Sequence, residues 1–238
     1  MRTLAISTAR KEVSVALLRE EEAWWEMRID DGRQHSVTLL TTIDYILREA
    51  GCGLDDVDLL ACPTGPGSFT GLRVGLATLK GLAMVKGKPI VGVSTLEAYA
   101  FATGVVDLPI CVLMQARPGY VYFGLYQLSP EGHLTRLGEE KFCAISDIFP
   151  HLPEGTILFT GDGVCSYSGE IKGLMKGRAL LGGAIMPDLR ASMVGILGYR
   201  KFQAGQAQDP LFITPHYIQA SSAESKVDKG YVIGIRRR

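Results

Sequence analysis

The first half of the chain alternates β-rich apolar runs with stretches of amphipathic helical spacing, and it opens on three of the former. Residues 4–8, 13–19 and 23–29 are rich in Ala, Val, Leu and Ile, and in the third run Trp25, Met27 and Ile29 share one face at a period of two. Short polar breaks separate these runs, so the pattern predicts a three-stranded meander. The period then lengthens. Across 36–50, Leu39, Leu40, Ile43, Ile46, Leu47 and Ala50 recur at helical spacing, and Gly51 and Gly53 end the run. A buried strand over 57–62, a helix over 72–86 stopped by Gly87 ahead of Pro89, and a strand over 89–93 follow. A helix capped by Ser94, with Glu97 at the capping-box position, completes a first lobe over 1–106.

The pattern restarts near Asp107. Strands are predicted over 110–115, 120–128, 141–144 and 156–160, and a helix over 191–204, which makes a second α/β lobe of 107–222 whose late helix packs back on the first. The remaining stretch, 223–238, is poor in apolar residues at its start, ends in Arg236, Arg237 and Arg238, and reads as a flexible basic tail.

Between the strand over 57–62 and the next helix lies Gly65-Pro66-Gly67-Ser68-Phe69-Thr70-Gly71. Glycines here permit close backbone approaches, and Ser68 or Thr70 can cap the helix. Such a loop at a helix N-terminus suits an anion, which makes Gly65, Gly67 and Ser68 candidate anion or nucleotide contacts; a tight structural turn explains the same residues. The spacing matches neither a P-loop nor a dinucleotide fingerprint. In the helix that follows, Leu72, Val74, Leu76, Leu79, Leu82, Ala83, Met84 and Val85 spread around most of the circumference. One sheet cannot cover them all. The pairs Gly71/Gly75 and Ala77/Gly81 stack small surfaces four residues apart, which lets a second helix approach. Either the chain covers this helix itself or a partner does.

Charge narrows the function classes. Lys+Arg and Asp+Glu number 25 each, so no overall positive field favours nucleic acid. Five scattered cysteines, Cys52, Cys62, Cys111, Cys143 and Cys165, form no C-x-x-C pair and fit reduced thiols in the cytoplasm. No apolar run reaches the roughly 18–20 residues of a membrane span.

The string from Gly65 through Leu72-Arg73-Val74-Gly75 resembles the signature of the TsaB (YeaZ) family. Arg33-Gln34-His35-Ser36 with Leu39-Leu40, and Gly92-Val93-Ser94-Thr95-Leu96-Glu97, are similar to that family's helix-one opening and strand-to-helix join. Weaker likenesses lie at Ala116-Arg117 to Val121-Tyr122 and at Pro215-His216-Tyr217-Ile218 to Ala223-Glu224, so the resemblance spans about residues 1–224. It implies an α/β, two-lobed actin-like ATPase fold, each lobe a mixed sheet flanked by helices. It also implies a non-catalytic subunit that pairs with the paralogue TsaD, with the ATPase TsaE joining them. The assembly transfers threonylcarbamoyl from its adenylate to N6 of adenosine 37 in tRNAs reading codons that begin with adenine. The docking residues implied are His35, Ser36, Leu39, Leu40 and Ile43 on helix one and Phe69, Thr70, Gly71, Leu72, Arg73, Gly75, Leu76 and Leu79 on the next helix. Without TsaD the same surface would make a homodimer. The resemblance implies no cofactor held by this chain alone, ATP or ADP being a ligand only of the assembled complex, and tRNA contact only through that complex.

The chain departs from the family in one respect. Actin-like ATPases place a carboxylate in the first strand of each lobe to hold magnesium-bound water, many members of this family carry aspartate at both, and those places here read as Ser7 and Gln115. His35, His133, His151 and His216 never fall three or four apart, so no helical metal pair is written. A stand-alone actin-like ATPase or phosphotransferase is the competing function, and a metallopeptidase ranks last. Trp24 and Trp25 read as one core and one surface ring, Asp162 between two glycines as a turn, and Lys226 and Lys229 as solvated charges.

Overall fold

Two mixed sheets carry the fold. A computed structural model describes residues 1–30, 35–182 and 189–218. The first three strands are β1 (Arg2–Ser7), β2 (Val13–Arg19) and β3 (Glu22–Ile29), which pair antiparallel as the meander pattern predicts. Helix α1 (His35–Glu49) then leads to β4 (Leu59–Gly65), and α2 (Phe69–Lys86) leads to β5 (Ile90–Ser94). Both strands join parallel, giving the order β3-β2-β1-β4-β5.

Three local features differ from expectation for physical reasons. Helix α2 begins at Phe69, ahead of Leu72, because the Ser68 hydroxyl accepts the Gly71 N–H at 3.2 Å and draws the intervening residues into the first turn. Strand β4 begins later than residue 57, since Leu54–Asp56 form a 3-10 turn closed by the Asp56 carboxylate on the Gly53 N–H at 2.8 Å. In β3 the register slips so that Leu17 faces Trp25 while Leu18 faces Ala23. Trp24 is the bulged residue, half-buried with the Arg19 guanidinium 3.6 Å above its ring, and strict alternation fails there.

Helix α3 (Thr95–Ala102) follows with the expected capping box, Ser94 accepting from the Leu96 and Glu97 N–H groups. The second sheet repeats the plan of the first. It contains β6 (Pro109–Gln115), β7 (Tyr120–Leu128), β8 (Leu134–Arg136), β9 (Lys141–Ala144), β10 (Ile157–Thr160) and β11 (Ala179–Leu181), with α4 (Gly163–Met175) linking the last two. Its order is β11-β10-β6-β7-β8, with β9 also on β7. The brief β8 and β11, and the glycine-bearing α4, have too weak a local pattern to stand out in the sequence.

The core is layered. Leu39, Ile43 and Ile46 of α1 and Leu76, Leu79 and Ala83 of α2 cover one face of the first sheet. Its other face meets α5 (Ala191–Gln203) and α3, and α3 also packs on the second sheet, in one core with Ile110, Val112 and Tyr126. Helix α4 closes the outside of that second sheet through Val164, Ile171 and Met175. Helix α5 lies very close to the first sheet: a Cβ on Gly198 would sit 2.7 Å from that of Ala61. Its N-terminus is capped from that sheet, Ser14 Oγ accepting the Ala191 N–H at 3.0 Å and Glu26 the Ser192 N–H at 2.9 Å. Beyond α5 the chain returns along the first lobe to Ile218; the basic tail at 223–238 lies outside the described residues.

Candidate docking face and interlobe cleft

Helix α2 is pressed onto the end of β1 by its own small residues. A Cβ on Gly71 would meet the Thr8 carbonyl at 2.0 Å, and one on Gly75 the Thr8 hydroxyl at 2.2 Å. This corrects one expectation: the Gly71/Gly75 stripe serves packing within the chain. Leu39, Ile43, Leu72, Leu76 and Leu79, read above as partner contacts, are corrected likewise, since none is more than 4% exposed. The reason is geometric. Each apolar stripe is wide, and the sheet takes the part of it that the helix turns inward.

What remains outside is a second, narrower face. Val37 is 59% exposed and Leu40 51% on α1, with Ser36 beside them. On α2, Thr70, Arg73, Ala77, Gly81 and Met84 are exposed and recur at three- and four-residue steps, and Phe69 is 42% exposed at the helix start. A Cβ on Gly81 would touch nothing within 4 Å, so this part of the small-residue pattern is open. Helices α1 and α2 pack against each other, which sets their outer faces side by side. His35 is the first helical residue of α1, and its side chain lies outside the described residues.

The second feature is a cleft of about 620 Å³ between the lobes, lined by Ala9, Arg10, Lys11, Gly67 and Ser68 on one side and Met114, Gln115, Ala116 and Tyr122 on the other. Two of the three candidate anion contacts, Gly67 and Ser68, line it. Gly65 does not: a Cβ there would meet the His216 carbonyl at 2.8 Å. The Ser68 N–H donates to the Ala9 carbonyl at 2.7 Å, so that donor is already engaged within the chain. Ser7 is buried, while Gln115 accepts from the Ser166 hydroxyl at 3.4 Å. The carboxylate that does reach the junction is Asp162, which ion-pairs with Arg10 across the lobes and accepts the Gln115 N–H at 2.8 Å. Asp162 is thus more than a turn residue, and with Arg10 152 positions away no spacing signal could disclose it. Lys11 is held by Asp30 at 2.6 Å. Among the described residues no cluster of three or more His, Cys, Asp or Glu could hold a metal ion.

Sequence and structure comparisons agree with one another. The family model for TsaD, tRNA N6-adenosine threonylcarbamoyltransferase, matches residues 30–168, more than half the chain. The tRNA threonylcarbamoyladenosine biosynthesis protein TsaB of Bacillus subtilis (strain 168) is 30% identical over 228 residues, covering 95% of this chain and 97% of that protein. The structure of YeaZ from Pseudomonas aeruginosa superposes with a TM-score of 0.77 at 26% identity, covering 91% of this chain and 99% of the other. A putative N-acetylmannosamine kinase from Listeria monocytogenes superposes at 0.51 with 11% identity over 85% of this chain and 100% of its own length. That likeness concerns the fold alone, which is the two-lobed actin-like ATPase fold.

Proposed function

Because the chain belongs to the TsaB (YeaZ) family of tRNA threonylcarbamoyladenosine biosynthesis proteins, within the wider group that the TsaD model describes, we propose that it is a non-catalytic partner subunit of the TsaD transferase. The observation that carries this reading is the solvent-open face of α1 and α2, with Val37, Leu40, Ala77, Gly81 and Met84 outside and the larger apolar side chains already buried beneath it. Apolar side chains around small ones let helices approach closely, and docking would remove about 800 Å² per partner from water in an interface of ordinary size. The same face would serve a homodimer when the transferase is absent, so the two assemblies exclude each other.

In the assembled complex, which TsaE joins, threonylcarbamoyl passes from its adenylate to N6 of adenosine 37 in tRNAs reading codons that begin with adenine. The tRNA is reached through the complex, ATP or ADP belongs to the assembly, and the site of action is the cytoplasm. No helix among the described residues is long and apolar enough to cross a membrane. The chain's own residues support a scaffold rather than an ATPase. Ser7 and Gln115 stand where carboxylates would hold magnesium-bound water, and the carboxylate nearby, Asp162, is neutralised by Arg10.

Reconstitution tests the proposal. Modification of tRNA by the other components should fall to background without this chain, and Leu40→Glu should abolish both pairing and rescue while the variant stays folded. A stand-alone phosphotransferase predicts instead that the isolated chain binds Mg-ATP in calorimetry and turns it over, and that result would replace the scaffold reading.

A further inference from the structure

The segment after α5 runs back along α2 as a strap. Gln208 donates its N–H to the Ile90 carbonyl at 2.9 Å and accepts the Gly92 N–H on its side chain at 2.9 Å. Lys80 of α2 then donates to the carbonyls of Leu211 at 3.2 Å and Ile213 at 3.0 Å, and the His216 N–H reaches the Thr64 carbonyl at 2.7 Å. The strap therefore arrives at the start of α2 with Tyr217 in place against Phe69, their ring centroids 5.3 Å apart.

Arg73 completes the group. Its guanidinium lies 3.8 Å from the centroid of Phe69, and its Nε–H donates to the Tyr217 hydroxyl at 2.9 Å. An arginine held flat by one ring and pinned at Nε by another side chain has lost most of its rotamer freedom, while its terminal nitrogens still form a planar fork. Among the described residues no carboxylate pairs with Arg73. The first turn of α2 also contains no acidic residue, so the positive end of the helix and the guanidinium add together uncompensated. That arrangement favours an incoming anion.

We propose that Tyr217 and Phe69 hold the Arg73 guanidinium as a preformed anchor for a carboxylate on the protein that docks against α1 and α2, which makes the C-terminal strap part of the docking surface. The proposal rests on the docking reading above and extends it to a residue and a ligand chemistry. A carboxylate fits better than an RNA phosphate for two reasons. Arg73 shares its helix face with Thr70, Ala77 and Gly81, so it lies on the ridge that docking would bury, where a bidentate arginine pair beside an aromatic ring is typical of an interface centre. Among the described residues of the α2 ridge it is also the one cation on the exposed face with Thr70, Ala77 and Gly81. Lys80, two turns along the helix, is engaged by the strap carbonyls, so among the described residues of α2 no basic stripe runs from Arg73 to follow a phosphate backbone.

The test measures pairing of the full-length chain with the purified transferase at several salt concentrations. Arg73→Met should weaken pairing about thirtyfold or more and flatten its salt dependence, and Arg73→Lys should not restore it. Tyr217→Phe keeps the ring but loses the bond to Nε, and should weaken pairing about fivefold to tenfold without shifting the melting temperature of the lone chain. Substituting carboxylates on the transferase singly should find one whose loss is not additive with Arg73→Met. If these variants lower the melting temperature of the lone chain but leave pairing intact, the three side chains only fasten the strap, and the proposal is wrong. If they spare pairing and reduce tRNA binding by the assembled complex, the anion is a phosphate, and the proposal is equally wrong. Leu40→Glu separates the two levels of inference: pairing lost in that variant but unchanged in Arg73→Met overturns only the anchor, whereas pairing unchanged in both overturns the docking face itself.

Discussion

The hydroxyl of Thr8 lies 2.2 Å from the point a Cβ on Gly75 would occupy, so α2 rests directly on the end of β1 with no room for a side chain between them. The next atoms are Ile6 Cδ1 at 3.1 Å and Thr8 Cβ at 3.4 Å, which makes the hydroxyl the main obstacle. Gly75→Ala should therefore destabilise the lone chain by about 1–3 kcal/mol, as overpacked cores do, and Gly75→Leu by more. Adding Thr8→Ala should recover a good part of the loss for alanine and little for leucine. Denaturant melts of the two single variants and the double variant measure this directly.

Gly81 gives the opposite result. It lies in the interior of α2 and a Cβ there touches nothing within 4 Å, so Gly81→Ala should raise the stability of the lone chain by about 0.5–1 kcal/mol through helix propensity alone. Gly81→Leu should leave the fold intact yet weaken pairing, because the closest approach of a second helix would be blocked. Thermal melts and sedimentation of the same two variants separate these effects.

The ion pair between Arg10 and Asp162 ties the lobes across the cleft, with side chains 34% and 18% exposed. Asp162→Asn keeps an acceptor for the Gln115 N–H and removes only the charge, so it isolates the pair. Partial exposure limits its worth to about 1 kcal/mol. Hydrogen exchange at the loop over 65–71 and at Gln115 should quicken in Asp162→Asn and in Arg10→Ala, while exchange within β1 and β2 should stay unchanged.

Acid should act partly through Glu21. The Arg200 guanidinium, which donates to Glu21 at 2.8 Å and 2.5 Å, holds its carboxyl below the ordinary carboxylate range. A carboxylate whose folded-state pKa is depressed adds stability above its unfolded value, and that stability is lost as pH falls through the folded one. The stability of the native chain should thus decline more steeply below about pH 4.5 than that of Glu21→Gln, and the two curves should converge at the acid end. Chemical denaturation at intervals from pH 6 to pH 2.5 reads the difference.

Thiol reactivity should divide the cysteines by burial. Burial pushes the Cys62 thiol up to about 12 and raises that of Cys111 as well, whereas Cys165 lies exposed near the start of α4. At pH 8 an alkylating reagent should label Cys165 first and leave Cys62 and Cys111 until the chain unfolds, as followed by mass spectrometry.

Much of this architecture was legible from one sequence, because it is encoded over short distances. The β-rich runs of β1, β2 and β3, the period of two at Trp25, Met27 and Ile29, the helical spacing in α1, the stop at Gly87 and the capping box of Ser94 and Glu97 are each encoded within a short stretch of chain. The glycine signature at Gly65–Gly75 likewise identified the family, a short string that the near full-length similarity to Bacillus subtilis TsaB bears out. Periodicity nevertheless could not say how much of the stripe on α1 and α2 the chain would cover itself. That depended on how far the helices roll onto the sheet, and the answer placed Leu39, Leu72 and Leu76 inside and left Leu40, Ala77 and Gly81 outside. Nor could it bring Arg10 to Asp162, Ser14 and Glu26 to the start of α5, or Arg73 to Tyr217, since partners more than a hundred residues apart carry no mutual spacing signal. Local propensity and period determine which elements form; the packing of those elements alone determines which side chains meet and which face stays open to another molecule.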